Sequence, residues 1–548
     1  MSHPLSVRGA TAGLVATATA LTLALAGPAD AKSAHGHDHQ PGPALAPRTH
    51  FTMEPDGSSG LAPHGAGIPN IDSVKSTIRT YYNAPNGIAD KSSSPYITEM
   101  HAIEASALAS LPHVGPGEKK AIVFDADDTT LWTYDMEDAA MHFNFDPAVQ
   151  ANDWVFPEKF PATPGMVDFV DAVEAKGYSI FGITGRRFVQ EAATVGNLEK
   201  VGYTQFDGDN MYTKWDGPDT NKPAYVTCVA ACTTVEYKAN TRKHIEQDLG
   251  YDIVLNVGDQ FSDLQGGYAD AALKLPNPTY YLPSPDIAGA PASDAELTPR
   301  TEFTMAPNGS SGLTEGGEGI PNIDSVKSTI RTYYGAPASG PNAGIANKDS
   351  SPYISELRHI ERANTQRLVS QCRREVRKGG KPAVVFDADD TTLWTYDMED
   401  AAMHFNFNPT VQANDWVFPE RFPATPGMVH LVNTVGHAGC AVVGLTGRRA
   451  DQRAATLGNL AKVGYTEFTP ALYFTKWNGT AADPTIYAHT PCSDGVCTTV
   501  EYKSATRAYV ENTLHYDIVA NFGDQFSDLI GGYADRTVKL PNPTYYLP

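Results

Sequence analysis

The sequence contains two acidic segments that each follow a short apolar run. Asp125-Ala-Asp127-Asp-Thr comes directly after AIVF, and Asp387-Ala-Asp389-Asp-Thr comes directly after AVVF. Such runs are typical of buried parallel strands, and open α/β sheets bind ligands at the carboxyl ends of their strands. Aspartates at that edge can ligate a hard cation, attack an electrophile or transfer a proton. For one such segment alone, an acidic surface turn is the simpler interpretation.

Three later segments contribute polar side chains in the same order in both halves of the chain. Two of them follow strand-like runs, and one opens a helix-like stretch. In the first half they supply Thr184, Gly185, Arg186, Lys238, Asp259 and Asp263. In the second half they supply Thr446, Gly447, Arg448, Lys503, Asp524 and Asp528. Because parallel strands end at a common edge, the pattern predicts one site in each half.

The elements that position these residues occur twice because the chain is a tandem duplication. GIPNIDSVKSTIRTYY occurs at 67–82 and at 319–334, and both copies close on KLPNPTYYLP. Repeats of this length are whole domains rather than solenoid units. The sequence predicts domains at 49–283 and 301–548 and a Pro- and Ala-rich linker at 284–300. The second copy has extra residues before its first acidic motif. This tolerance of insertions predicts surface loops there and a helix at 353–378.

The order of the four motifs resembles that of the haloacid dehalogenase-like (HAD) superfamily of aspartyl phosphotransferases. The blocks LTGRRADQRAATLGNLAKVGY, TVEYKSATRAYVENTLHYDIVANFGDQFSDL and VKLPNPTYYLP look like class B-type acid phosphatases. That group includes plant acid phosphatases and vegetative storage proteins. The resemblance covers nearly all of each copy, from about Tyr96 and Tyr353 onward.

The resemblance implies an α/β fold: two tandem HAD-like Rossmannoid domains, each a mostly parallel sheet flanked by helices with a small cap. Thr130 and Thr392 depart from the superfamily, which usually has an apolar residue there. The tandem pair also departs from the usual single domain.

The resemblance further implies an aspartyl-phosphate mechanism. Asp125 and Asp387 would attack phosphorus. Asp127 and Asp389 would protonate the leaving alkoxide and then activate the hydrolytic water. The second aspartate favours phosphate ester hydrolysis over dehalogenation, because a halide leaves without a proton.

The resemblance implies Mg²⁺ as the cofactor, a hard ion that prefers oxygen ligands. Asp125 and Asp259 would ligate it by side chain and Asp127 by its backbone carbonyl, with Asp263 orienting ligands from a second layer. The second copy would use Asp387, Asp524, Asp389 and Asp528 in these roles. Threonine, glycine, arginine and lysine would hold the phosphate: Thr184, Gly185, Arg186, Lys238, Thr446, Gly447, Arg448 and Lys503. Which arginine of each Arg-Arg pair contacts phosphate is left open.

The amino terminus predicts export. Residues 1–31 have the charged, apolar and A-x-A order of a signal peptide cleaved after Ala31, and 32–48 read as a flexible leader. The expected location is therefore extracellular or periplasmic. We find no second long apolar run, so no membrane partner is expected. The net charge of −22 disfavours nucleic-acid polymers, and small phosphomonoesters are the expected substrates.

Cysteine spacing fits an oxidising compartment. The sequence predicts short-loop disulfides Cys228–Cys232 and Cys492–Cys497, with buried thiols as the alternative. Cys372 and Cys440 occur only in the second copy and are expected to be buried free thiols, a mutual bridge being the alternative.

An aromatic-rich segment separates the first two motifs. It contains Trp132, Tyr134, His142, Phe143, Trp154 and Phe156, and it recurs from Trp394 to Phe418. It can form a pocket wall that accepts aromatic leaving groups, or it can be the packing core of a small cap. The intervals between motifs are too short for a large cap, which predicts an open site and a broad substrate range.

These features predict a secreted, Mg²⁺-dependent acid phosphatase with two active sites, whose copies form an intrachain pseudo-dimer. Two alternatives stay open. One is phosphotransfer to alcohol acceptors, and the other is a storage or phosphate-binding protein with vestigial activity.

Overall fold

The computed structural model describes residues 59–62, 65–215, 217, 222–229, 231–282, 287, 311–476, 489–490 and 497–547. The predicted signal peptide, the leader, Cys492 and all of the linker except residue 287 lie outside the described residues. Within these ranges, no helix is both long and apolar enough to cross a bilayer.

The first repeat alternates strands with helices. Its elements are α1 (Ile71–Tyr81), α2 (Pro95–Ser110), β1 (Lys120–Phe124), α3 (Pro147–Val149), α4 (Met166–Ala175), β2 (Ser179–Arg187), α5 (Glu191–Lys200), β3 (Met211–Lys214), α6 (Thr234–Gln247), β4 (Asp252–Gly258), α7 (Phe261–Leu264) and β5 (Ala271–Lys274). Two π-helical turns, Met136–Ala140 and Gln150–Val155, lie between β1 and α4, in the segment predicted to form the small cap.

The second repeat has the same order of elements. They are α8 (Ile323–Tyr334), α9 (Pro352–Arg377), β6 (Pro382–Phe386), α10 (Pro409–Val411), α11 (Met428–His437), β7 (Ala441–Arg449), α12 (Arg453–Lys462), β8 (Tyr473–Lys476), α13 (Thr499–Asn512), β9 (Asp517–Gly523), α14 (Phe526–Leu529) and β10 (Thr537–Lys539). The helix predicted at 353–378 is α9, which has 26 residues against 16 in its counterpart α2.

Each repeat contains a five-stranded sheet in which every neighbouring pair is parallel. The strand orders are β3-β2-β1-β4-β5 and β10-β9-β6-β7-β8. Alternate residues of β1 enter different cores: Ala121 and Val123 pack on one face, and Ile122 and Phe124 on the other. Burial on both faces explains why the strand reads as a continuous apolar run. The predicted α/β class, with a mostly parallel sheet in each repeat, is confirmed.

The two repeats pack together through α1 and α8, whose apolar residues belong to one continuous core. The amino end of each helix docks on the carboxyl-terminal segment of the other repeat. The Ile71 amide donates to the Pro543 carbonyl and the Ile323 amide to the Pro278 carbonyl, both at 2.9 Å. The side-chain amide of Asn322, which caps α8, also donates to the Tyr280 carbonyl at 2.8 Å.

The expectation of free thiols at Cys372 and Cys440 is wrong, because the two residues form a disulfide. Cys372 lies on the extended part of α9, and Cys440 directly precedes β7, so the longer helix brings their Cα atoms to 5.2 Å. The Cys228–Cys232 disulfide is present as predicted.

Candidate active site

The predicted residues of the first repeat meet where the chain order of the sheet reverses, beside β1. Asp125 directly follows β1, and Asp259 directly follows its neighbour β4. The short helix α7 then carries Asp263 back over the same edge. Such a reversal leaves a crevice at the carboxyl ends of the strands, which is where open α/β sheets bind ligands.

A buried lysine joins two of these aspartates. The Lys238 ammonium donates to Asp125 at 2.5 Å and to Asp263 at 2.7 Å. It reaches them because a reciprocal Thr233–Glu236 cap starts α6 one turn earlier. Burial alone would lower the pKa of Lys238, but Asp125 and Asp263 outweigh it and raise the pKa, so the ammonium stays charged. Lys503 bonds Asp387 and Asp528 in the same way.

Three carboxylates in each repeat lie close enough to share one cation. Oxygens of Asp125, Asp259 and Asp263 fall within 4.8 Å of one another, as do those of Asp387, Asp524 and Asp528. The triads lie where the sequence predicts a metal site.

The hydrogen bonds of the first triad test whether a cation fits. Asp259 Oδ2 accepts from Asn277 and Gln260, both at 2.7 Å, whereas no group in the described part of the chain hydrogen-bonds its buried Oδ1. A buried carboxylate oxygen without a partner is costly unless a ligand satisfies it. Asp263 differs, because Lys238 bonds one of its oxygens and the Gln260 amide bonds the other at 2.9 Å. A divalent cation therefore fits against Asp259 and Asp125, with Asp263 as a supporting residue.

Burial makes these carboxylates strong proton acceptors in the absence of a cation. It raises the pKa of Asp259 to about 7, with further contributions from Asp263 and Asp128. Burial raises the pKa of Asp524 to about 6 and places that of Asp125 well above its ordinary value, although Lys238 opposes the latter shift.

Arg186 holds the second aspartate of the motif. Its guanidinium donates to Asp127 at 2.7 Å and, through another nitrogen, to Thr194 at 3.1 Å. Arg448 repeats both contacts with Asp389 and Thr456. Arg186 thus orients the predicted acid catalyst, and its phosphate contact stays a prediction. Arg187 is exposed and lines the same cavity.

The β2 edge positions the remaining predicted phosphate ligands. The pairing of β2 with β3 shifts register between Thr184 and Arg187, which turns Gly185 and Arg186 toward the cavity. Thr184 itself is buried, and its hydroxyl accepts from the Arg186 amide at 3.2 Å. In the second repeat Thr446 lines the cavity together with Gly447 and Arg448.

The structure adds two polar residues that the sequence argument missed. Asp128 is buried with a left-handed backbone and accepts from Thr133 and Asn277. Asn277 also bonds Asp259 at 2.7 Å, so it connects the two acidic motifs. Asp390 and Asn542 repeat this arrangement. The available signal was the KLPNPT segment, which occurs unchanged in both copies.

The cavity of the first repeat has a volume of about 710 Å³, and that of the second about 430 Å³. The sequence left open whether the aromatic segment forms a pocket wall or packing core, and the structure shows both, with most of the rings in the core. Trp132, Tyr134 and Phe143 are buried, so they form packing core, whereas Phe156 lines the first cavity. Phe145, which the prediction omitted, lines it too.

A family match identifies this arrangement. The family described as HAD superfamily, subfamily IIIB (Acid phosphatase), matches residues 72–283 and 345–548, well over half of the chain. The chain belongs to this family. The match occurs once in each repeat, which confirms the predicted HAD resemblance and its tandem arrangement.

Individual relatives align with shorter stretches. The chain is 33% identical over 178 residues to the stem 28 kDa glycoprotein of Glycine max, covering 32% of this chain and 63% of that protein. It is 31% identical over 181 residues to acid phosphatase 1 of Solanum lycopersicum, covering 33% of this chain and 66% of that protein. The chain thus spans less than two thirds of the length of these plant relatives.

Among solved structures, the class C acid phosphatase from Bacillus anthracis aligns at 25% identity and a TM-score of 0.25. The alignment covers 34% of this chain and 77% of that one. The fold class rests on the strand order and the family match instead.

Proposed function

We propose that this HAD-family chain is a secreted, Mg²⁺-dependent acid phosphatase that hydrolyses phosphate monoesters at two sites. The observation that carries the proposal comes from the first repeat, where no described group hydrogen-bonds Oδ1 of Asp259, and the Asp259 carboxylate lies beside Asp125 and Lys238. A carboxylate nucleophile, a fixed ammonium and a vacant cation ligand are what attack on a dianionic phosphate requires.

The first chemical step belongs to Asp125, or to Asp387 in the second repeat. Its carboxylate attacks phosphorus, the bond from phosphorus to the ester oxygen breaks, and an aspartyl-phosphate forms. Lys238 fixes this carboxylate and leaves a positive charge next to the entering phosphate. Gly185 on β2 lines the same cavity, and its backbone amide is a further proposed phosphate ligand.

Asp127 performs the proton transfers. It donates a proton to the leaving alkoxide, and in the second step it takes a proton from the water that attacks phosphorus and releases Asp125. Its side chain is only partly buried, so it can reach both the leaving group and solvent. Arg186 keeps it pointed into the cavity.

Asp125, Asp259 and the backbone carbonyl of Asp127 would hold the cation. When bound, Mg²⁺ offsets the negative charge of the phosphate and the carboxylates. Oxygen-only ligands favour a hard ion over zinc, which prefers nitrogen and sulfur.

Hydrolysis of nitrophenyl phosphate tests the proposal. Turnover in Mg²⁺, its loss after chelation and its return with fresh Mg²⁺ are the expected results, and no metal-dependent turnover would contradict them. Added glycerol separates the outcomes further, because glycerol phosphate would form if an alcohol replaced water as the acceptor. A protein that binds phosphate without any turnover would support the storage alternative.

Export is the remaining part of the proposal. It is supported by the signal-like residues 1–31 and by two disulfides among the described residues. Amino-terminal sequencing of the secreted chain should begin at Lys32.

A further inference from the structure

Each cavity takes part of its wall from the other repeat. Asp324, in the first turn of α8, lines the cavity that contains Asp125. Asp72, in the first turn of α1, lines the cavity that contains Asp387. The two aspartates occupy the same position in the duplicated sequence, so the exchange is reciprocal.

These aspartates are held in place but stay accessible. Asp324 accepts from the Tyr281 amide and Asp72 from the Tyr546 amide, both at 3.2 Å. Their side chains are 37% and 38% exposed. Docking of each helix on the other repeat therefore fixes a carboxylate at the cavity wall and leaves part of it open to a ligand.

A buried glutamate lines each cavity as well. Glu137 and Glu399 are each only 4% exposed, and they line the first and second cavities respectively. Among the described residues, no group hydrogen-bonds the carboxylate of either glutamate. Neither has a part in the phosphatase mechanism. A carboxyl at a cavity wall that no protein group hydrogen-bonds is free to accept a hydrogen bond from a ligand.

The local charge indicates the charge of such a ligand. Lys327 lies 3.4 Å from Asp324, but it also bonds the Phe143 carbonyl and Asn144, so one ammonium serves several acceptors. Asp324 and Glu137 together carry two negative charges when ionised, against the single positive charge of Lys327. One further cation would balance the cluster.

We propose that Glu137 with Asp324, and Glu399 with Asp72, form leaving-group subsites that select phosphomonoesters whose alcohol carries an ammonium group. The inference rests on the proposed phosphatase function and names its substrate class. The phosphate would lie at Asp125 or Asp387, and the ammonium at the acidic pair on the cavity wall. Each subsite is complete only when both repeats are folded together.

The test compares aminoethyl, aminopropyl and aminobutyl phosphate with the alkyl phosphates of the same chain length. Selectivity is the ratio of kcat/KM for the amine to kcat/KM for the alkyl ester. To isolate one site, the assays use full-length Asp387→Asn or Asp125→Asn protein. At least one chain length should favour the amine by about tenfold or more, the worth of one charged hydrogen bond.

For each site, the variants change the glutamate of the same repeat and the aspartate of the other repeat. With only the first site active, Glu137→Gln and Asp324→Asn should each lower the selectivity about tenfold. With only the second site active, Glu399→Gln and Asp72→Asn should do so. Asp270→Asn, which removes an exposed carboxylate that lines neither cavity, is the charge control and should leave the selectivity unchanged.

Nitrophenyl phosphate separates the failure of this inference from that of the phosphatase proposal. If nitrophenyl phosphate is hydrolysed but no amine is preferred, the subsite is overturned and the phosphatase stands. If Asp72→Asn rather than Asp324→Asn lowers the selectivity of the first site, the inference that each repeat contributes an aspartate to the other repeat's cavity is overturned. If Glu137→Gln and Glu399→Gln leave the selectivity unchanged, the two glutamates do not bind the ammonium and the proposed subsites are overturned.

Discussion

At the scale of single residues, one arginine determines where the predicted acid catalyst points. Arg186 contacts both oxygens of Asp127 and reaches Thr194 behind it, and the second repeat keeps all of these partners. The arrangement holds the carboxyl of Asp127 at the wall of the cavity. The contribution of Asp127 should therefore depend on how much the leaving group needs a proton.

We expect Asp127→Asn in the Asp387→Asn background to lower kcat for an alkyl phosphate by about 10²–10⁴-fold. For nitrophenyl phosphate the loss should be much smaller in the first step, because nitrophenolate leaves without a proton. Rapid-quench measurement of nitrophenol release isolates that step. Equal losses for both esters would contradict the acid role.

The proposed metal site predicts a pH dependence of stability. Unfolded aspartates have a pKa of about 3.9, whereas the folded, metal-free protein holds Asp259 at about 7 and Asp524 at about 6. The folded state thus binds more protons between about pH 4 and 7, and these groups stabilise it less as pH rises through that window. A cation must displace the same protons.

We therefore expect the rise in Tm caused by Mg²⁺ to be small near about pH 5 and to grow as pH increases through about 7. Thermal unfolding with Mg²⁺ and with chelator at each pH measures it. The Asp259→Asn/Asp524→Asn variant should show a small, pH-independent rise, and Asp270→Asn should behave as wild type. A Mg²⁺ effect that declines with pH would contradict the assignment.

At the scale of elements, α8 has two functions. Its cap Asn322 starts the helix and also bonds the carbonyls of Asn277 and Tyr280 in the first repeat. Ser351 caps α9, but its cap hydrogen bond stays within its own repeat. Comparing Asn322 with Ser351 therefore separates the contribution of a helix cap from that of the contact between repeats.

Ser351→Ala should lower the free energy of unfolding by about 1 kcal/mol, the usual worth of a cap. Asn322→Ala should cost about 1–3 kcal/mol more, because it also removes the hydrogen bonds that Asn322 donates to the Asn277 and Tyr280 carbonyls. Chemical denaturation of both variants measures the difference. Equal costs would show that the contact between repeats contributes nothing.

The disulfide between α9 and β7 closes a far longer loop than the one before α6. The sequence separations are 68 and 4 residues. Loop entropy predicts that removing Cys372–Cys440 costs about 4 kcal/mol and removing Cys228–Cys232 about 2 kcal/mol. Double cysteine-to-alanine variants and denaturant unfolding provide the values. A larger cost for the shorter loop would contradict this order.

Local patterns carried the parts of the fold and site that the sequence predicted. Apolar runs marked β1 and β4, and the motifs at their ends located the aspartates that the structure brings together. No local sequence pattern indicates which distant segments contact each other. Nothing near Asp72 or Asp324 indicates that each lines the cavity of the other repeat. The Cys372–Cys440 bond likewise depends on the length of α9 and on how it packs against α11, which ends just before Cys440.

At the scale of the whole molecule, the two repeats pack against each other, which is the contact that the proposed intrachain pseudo-dimer requires. The helices α1 and α8 share one core, and each docks on the carboxyl-terminal segment of the opposite repeat. That geometry places both cavities next to the contact between repeats. Each repeat nevertheless keeps its own proposed nucleophile, its own lysine and its own acidic triad.

The central claim is that one chain contains two separate aspartyl phosphatase sites. The most direct measurement is kcat for nitrophenyl phosphate, with Mg²⁺, in wild type, Asp125→Asn, Asp387→Asn and the double variant. We predict that each single variant keeps a substantial share of the activity and that their kcat values sum to that of wild type. The double variant should lose more than about a thousandfold. Complete loss in one single variant, or wild-type turnover in the double variant, would contradict the account.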